Sequence, residues 1–153
     1  MENFMLSTEI ENPYNRIAME PLTHQPLKTK VSRRLCLPSM KGFIIIDVND
    51  ILYFHVVHNY TVFHLVNGKK IMVTKPIKDY EAMLNPDAFF RTHKSSVIHL
   101  KYLKEFSRAN GNFAVMTDNT RIAVSRRRLS EFKVAVNLHN NQSQANSKQD
   151  LAA

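Results

Sequence analysis

Cations and hydrogen-bonding side chains gather twice along this chain. They fall in Phe89-Phe90-Arg91-Thr92-His93-Lys94-Ser95-Ser96-Val97-Ile98-His99-Leu100 and again in Arg121-Ile122-Ala123-Val124-Ser125-Arg126-Arg127-Arg128. Guanidinium, ammonium and imidazole groups beside serine hydroxyls can bind phosphate oxygens and base edges, so both segments suit a polyanion. In each, the cations stand where strand character gives way to a turn or helix, which presents them at an edge. The charge balance points the same way. Of the formal +8 at pH 7, residues 91–133 carry +7, while 41–90 are balanced. A field this localised favours a polyanionic partner, without by itself separating DNA from RNA, acidic protein or anionic lipid.

Ser125 has the chemistry of a helix N-cap, and Leu129, Phe132 and Val136 follow it on one stripe, so a short helix is expected to begin there. Its first turn would hold Arg126, Arg127 and Arg128. Each cation there opposes the positive end of the helix dipole, at roughly 0.3–1 kcal/mol. Three in succession suggest a compensating anion, and a phosphate would meet both the guanidiniums and the free N–H groups of the first turn. The plainer alternative is a solvated charged face.

Other chemistry finds little support. His55, His58, His64, His93 and His99 lie in the β-rich region, but residues three apart on a strand face opposite sides, so His55 and His58 would not converge on a metal. His64 and His99 are expected to be ordinary sheet residues with satisfied ring nitrogens. Ser95 and Ser96 near His93 lack a Gly-x-Ser-x-Gly elbow, and three glycines leave no Gly-rich phosphate loop. The chain is therefore expected to be no enzyme and to need no metal or cofactor. Cys36, the single cysteine, excludes an internal disulfide and a cysteine-based zinc site, which fits a reducing cytoplasm. The first ten residues lack the basic start and apolar run of a signal peptide, and the aliphatic run Phe43 to Ile46 is too short to span a bilayer.

The elements that position the two basic segments are mostly strands. Phe43 to Asp47 and Ile51 to Val57 are apolar runs separated by Asn49-Asp50. Asn67-Gly68 joins Tyr60–Val66 to Lys69–Thr74, Asn110-Gly111 joins Tyr102–Arg108 to Asn112–Thr117, and Asp118-Asn119 turns into Arg121–Val124. Such pairs between apolar runs are hairpin signals and predict a mainly antiparallel structure. From Pro76, Ile77, Tyr80 and Leu84 mark a short helix that Asn85-Pro86 stops. Residues 1–40, with Pro13, Pro21, Pro26 and Pro38, read as an extended or partly disordered extension. The polar, low-complexity residues 140–153 read as a disordered tail. A single domain over 41–139 remains.

Within it, Asp50-Ile51-Leu52-Tyr53-Phe54, His58-Asn59-Tyr60-Thr61-Val62, Asn67-Gly68-Lys69, Phe89-Phe90-Arg91-Thr92-His93-Lys94-Ser95 and Val124-Ser125-Arg126-Arg127 together resemble the LytTR-type DNA-binding domain of bacterial transcription regulators. The resemblance covers close to two-thirds of the chain. It implies elongated small antiparallel β-sheets with two short helices, lying along one side of a duplex and inserting loops rather than a recognition helix. Those loops would carry His58 and Asn59, then His93 and Lys94, then Arg126 as base readers, with Arg91, Ser95, Ser125, Arg127 and Arg128 as phosphate contacts. Arg126 suits guanine, Asn59 suits adenine, and Lys94 suits base acceptors or phosphate. Two departures stand out. Ser96-Val97-Ile98-His99 replaces the family's usual aromatic-apolar-apolar-Asn, leaving the role of His99 open. The forty residues ahead of the domain are too few for the receiver domain that many members carry.

The expected partner is thus double-stranded DNA, bound by a cytoplasmic, stand-alone regulator. A homodimer on repeated sites, and a sensor or regulatory protein bound through the N-terminal extension, are further expected partners. An RNA-binding β module and a protein-interaction module for an acidic partner are the competing classes for the same charge.

Overall fold

A computed structural model describes residues 33–152, with side chains described to Ser147. The remainder of the N-terminal extension, residues 1–32, lies outside the described residues. Ten strands follow in the order β1 Arg34–Ser39, β2 Gly42–Asp47, β3 Ile51–Val57, β4 Tyr60–Leu65, β5 Lys70–Val73, β6 Phe89–His93, β7 Ser96–His99, β8 Leu103–Ser107, β9 Phe113–Met116 and β10 Arg121–Ala123. Helix α1, Ile77–Met83, separates β5 from β6, and helix α2, Leu129–Ala152, ends the described chain.

Every strand pairing is antiparallel, as the hairpin signals predict. A central sheet runs β5-β4-β3-β7-β6, with a two-stranded sheet β1-β2 and a three-stranded sheet β10-β9-β8 beside it. Strand alternation sends neighbouring residues of the central sheet into two separate cores. Phe54, Phe63, Phe89 and Val97 join Leu35, Leu37, Ile46, Ile77 and Tyr80 in one. Tyr53, Phe90 and Ile98 join Ala114, Met116, Ile122, Val124 and Phe132 in the other. The first core is closed by β1-β2 and α1, the second by β8–β10 and α2.

Three expectations change here. Residues 34–39, assigned to the extension, form β1, because Leu35 and Leu37 are buried opposite Ile46 and Ile44. Strand β2 pairs with β1, and Val48–Asp50, at the turn expected from Asn49-Asp50, is a 3-10 turn whose start Asp47 caps through the Asn49 N–H. The second helix is not short, and residues 140–152 are not a disordered tail: α2 continues through them. Gly and Pro are absent there, so nothing breaks the backbone ladder, which runs on without an apolar stripe; Ser143 and Ser147 turn their hydroxyls back to the carbonyls of His139 and Ser143.

Two bulges interrupt the register of the central sheet. In β3 it jumps from Ile51↔Leu65 to Tyr53↔His64, which puts Ile51 and Phe54 in the same core although they are three apart. In β6 it jumps from Arg91↔Val97 to His93↔Ser96, leaving Thr92 as the extra residue beside the first basic segment.

Candidate nucleic-acid interface

Three turns meet at one end of the central sheet. The β3–β4 turn consists of His58 and Asn59, both exposed, with His58 in the left-handed region at φ 55°. Few residues other than glycine adopt that conformation, histidine and asparagine more readily than most, and it closes the two-residue turn. The β6–β7 turn, Lys94-Ser95, sits alongside, because His55 pairs with Ser96 and the Val56 N–H donates to the Ser95 carbonyl at 2.8 Å. The third turn follows β10: Ser125 donates its N–H at 2.8 Å to the carbonyl of Thr92, the bulge residue. A bulge leaves a backbone group unpaired in its own ladder. Here that group receives the third turn, so the irregularity in β6 ties the two basic segments together.

Arg126, Arg127 and Arg128 form a 3-10 turn rather than the first turn of an α-helix, and the Ser125 hydroxyl makes no capping bond. Regular helix begins only at Leu129. The three arginines also diverge. Arg128 donates through Nε to the Arg91 carbonyl at 3.2 Å, pairs with Glu131 at 3.0 Å and lies 4.9 Å from the Phe90 ring centroid. Its compensating anion is Glu131. Arg126 and Arg127 are exposed and make no ion pair among the described residues.

Arg91, expected among the phosphate contacts, is already engaged. Its Nη1 meets Glu81 Oε2 at 2.9 Å, its Nη2 donates to the Lys94 carbonyl and its Nε to the His93 carbonyl at 3.4 Å. His93 is oriented too. The Ser95 N–H donates to His93 Nδ1 at 3.3 Å, and the Ser95 hydroxyl lies 3.0 Å from the same nitrogen. A ring nitrogen that accepts from a backbone N–H carries no proton, so the neutral ring holds its proton on Nε2 as a donor. Lys94 is exposed.

Arg91, His93, Lys94, Ser125, Arg127 and Arg128 line one open cleft of about 310 Å³. Both basic segments thus contribute to a single surface, and six of the ten predicted site residues face it. Ser95 contacts one of its lining residues, His93, whereas His58, Asn59 and Arg126 are exposed and do not line it. A larger open cleft, about 410 Å³ between β8 and α2, has an apolar floor of Leu103, Phe106, Phe132 and Val136 and holds none of the predicted residues.

The other histidines divide. His99 is buried, and its Nδ1 donates to the Ile51 carbonyl at 2.8 Å, with the ring stacked on Phe89, so the satisfied sheet residue expected of it is what the fold contains. Burial pushes its pKa down to about 4. His64 differs from expectation: its Nε2 is buried without a hydrogen-bond partner among the described residues. Its ring stacks 4.4 Å from Tyr53 and sits 4.9 Å from His55. Burial, then His55 and Lys70, lower its pKa to about 4.

Sequence reasoning missed Glu81 and Thr92. Glu81 sits on a helix that contributes no residue to the cleft, and Thr92 matters through a carbonyl that no side-chain pattern reveals.

The fold is thus an antiparallel β framework with basic turns gathered at one end of its central sheet. Comparison with known proteins gives that framework its family. The family model of the LytTr DNA-binding domain matches residues 41–137, and the chain belongs to that family. Transcriptional regulatory protein LytR of Staphylococcus aureus strain N315 is 34% identical over 80 residues, covering 51% of this chain and 32% of LytR. LytR of strain MW2 matches to the same extent. The matched region thus spans about a third of those relatives' length. Among solved structures, the LytTr DNA-binding domain of a methyl-accepting/DNA response regulator from Bacillus cereus superposes with a TM-score of 0.60 at 18% identity. It covers 69% of this chain and 97% of that domain, a likeness of fold.

Proposed function

We propose that this chain binds double-stranded DNA sequence-specifically and regulates transcription, laying its three turns into successive grooves. The observation that supports this reading is the meeting of the His58-Asn59, His93-Ser95 and Ser125-Arg127 turns at one sheet end, joined through Ser95 and Thr92. Arg126, with no ion pair among the described residues, is suited to guanine O6 and N7, and Asn59 to adenine N6 and N7. Lys94 and the Nε2–H of His93 are donors for base acceptors. Ser95, Ser125 and Arg127 serve phosphate and set register. Two copies on repeated sites, or a sensor protein acting through residues 1–32, would supply control in the cytoplasm.

RNA recognition by base stacking is disfavoured, because Phe89 and Phe90 are only 5% and 8% exposed and anchor the two cores. Salt titration separates duplex DNA from an acidic protein partner. On DNA, log affinity falls linearly against log salt with a slope of about −0.9 per phosphate contacted, so several contacts give a steep line. A shallow slope on every duplex tried would overturn the proposal.

A further inference from the structure

Glu81 is an acid placed on a basic edge. A carboxylate there repels a phosphate backbone, so its presence needs a structural return. Ile77, Tyr80 and Leu84 fix α1 in the first core, which holds the Glu81 carboxylate 2.9 Å from Arg91 Nη1. Arg91 then binds the carbonyls of His93 and Lys94 with its other nitrogens. The turn so gripped, Lys94-Ser95, contains no Gly, Pro, Asn or Asp, and serine is the weaker of the turn-forming types. Its geometry comes from the local bond of the Ser95 N–H to His93 Nδ1 together with a guanidinium aimed by a carboxylate. The Arg91 carbonyl in turn accepts from Arg128 Nε at 3.2 Å, and Arg128 rests on Phe90 and pairs with Glu131, so the clamp continues to α2.

We propose that Glu81 and Arg91 are a positioning pair that fixes the β6–β7 turn for sequence reading, raising specificity while opposing non-specific attachment. This rests on the reading of that turn as a DNA reader. Arg91 acts on DNA through the turn it holds, not through a phosphate.

The opposing electrostatic sign makes the idea testable. Removing a repulsive carboxylate should tighten all DNA binding, whereas removing a positioning group should weaken binding to the preferred site alone. The full chain and its Glu81→Gln variant are titrated with a duplex selected from a random pool and with an unrelated duplex. Amide exchange at Ser95 is followed in the DNA-free protein. For Glu81→Gln the expected result is a loss on the order of tenfold on the selected duplex, comparable to one base contact. Unrelated duplex should bind as well or better, and Ser95 exchange should quicken. Glu105→Gln, the same charge change on exposed β8, should tighten both duplexes or neither. Arg91→Lys keeps the charge but not the fork, and should reproduce the selective loss with an unchanged salt slope.

Parallel tightening on both duplexes with Glu81→Gln would overturn the proposal, as would unaltered Ser95 exchange. Wild-type protein that discriminates no duplex would refute the DNA-reading assignment, while the exchange measurement would still decide whether Glu81 holds the turn.

Discussion

His99→Asn should flatten the acid side of the stability profile. His99 is 3% exposed, donates from Nδ1 to the Ile51 carbonyl at 2.8 Å, stacks on Phe89 at 4.3 Å and meets Tyr102 edge-on at 5.1 Å. Burial lowers its pKa from 6.5 to about 4, outweighing the opposing effect of the bond to Ile51. Between those values the unfolded chain binds a proton that the folded one refuses, so stability is full above about pH 6.5 and falls as the pH drops toward 4. At about 1.4 kcal/mol per unit, this histidine alone costs about 2 kcal/mol at about pH 5 and about 3 kcal/mol once fully titrated. Asparagine keeps an N–H for Ile51 and carries no titrating group. The variant should lose about 1 kcal/mol at neutral pH through the missing ring contacts. Between about pH 7.5 and pH 5 it should then lose about 2 kcal/mol less than the wild type. Denaturant unfolding at both pH values measures this, and His64 leaves a residual slope in both proteins. Parallel losses in the two proteins would refute the assignment of the proton to His99.

Phe132 is 1% exposed and packs on Phe90 and Phe106 at 5.6 and 5.5 Å, so Phe132→Ala should cost about 3–5 kcal/mol in denaturant unfolding. Arg126→Ala should leave the denaturation midpoint unchanged and weaken the selected duplex by roughly 1–3 kcal/mol, with relaxed preference at one base pair. Uniform weakening across sequences would make Arg126 a phosphate contact. Ending the chain at Asn140 removes no buried side chain described between Asn141 and Ser147, so circular dichroism should show less helix with an unaltered midpoint.

The hairpins were readable because Asn110-Gly111 and Asn67-Gly68 state their turns in local chemistry, with φ 61° at Asn110 and 85° at Gly68. The turn at Lys94-Ser95 is unreadable in the same terms, since it is fixed by the His93 ring, by Arg91 and, ten residues before Arg91, by Glu81. Phe89 and Phe90 announce burial, but not that adjacent residues enter different cores. The cation run at 126–128 predicts an anion, and Glu131 supplies one for Arg128 at i,i+3, a spacing the sequence already carried. Helix α2 outran expectation because it continues without the apolar stripe by which a helix is read from sequence. His99 could be placed on a strand from sequence, but not matched to the Ile51 carbonyl, a partner forty-eight residues away.

The central claim is that three turns at one end of the sheet meet duplex DNA. Its most direct test is residue-by-residue NMR of the full chain titrated with a duplex selected from a random pool. The largest amide shifts should fall at His58-Asn59, His93 to Ser95 and Ser125 to Arg127. Shifts concentrated in the cleft between β8 and α2, with those turns unmoved, would contradict it.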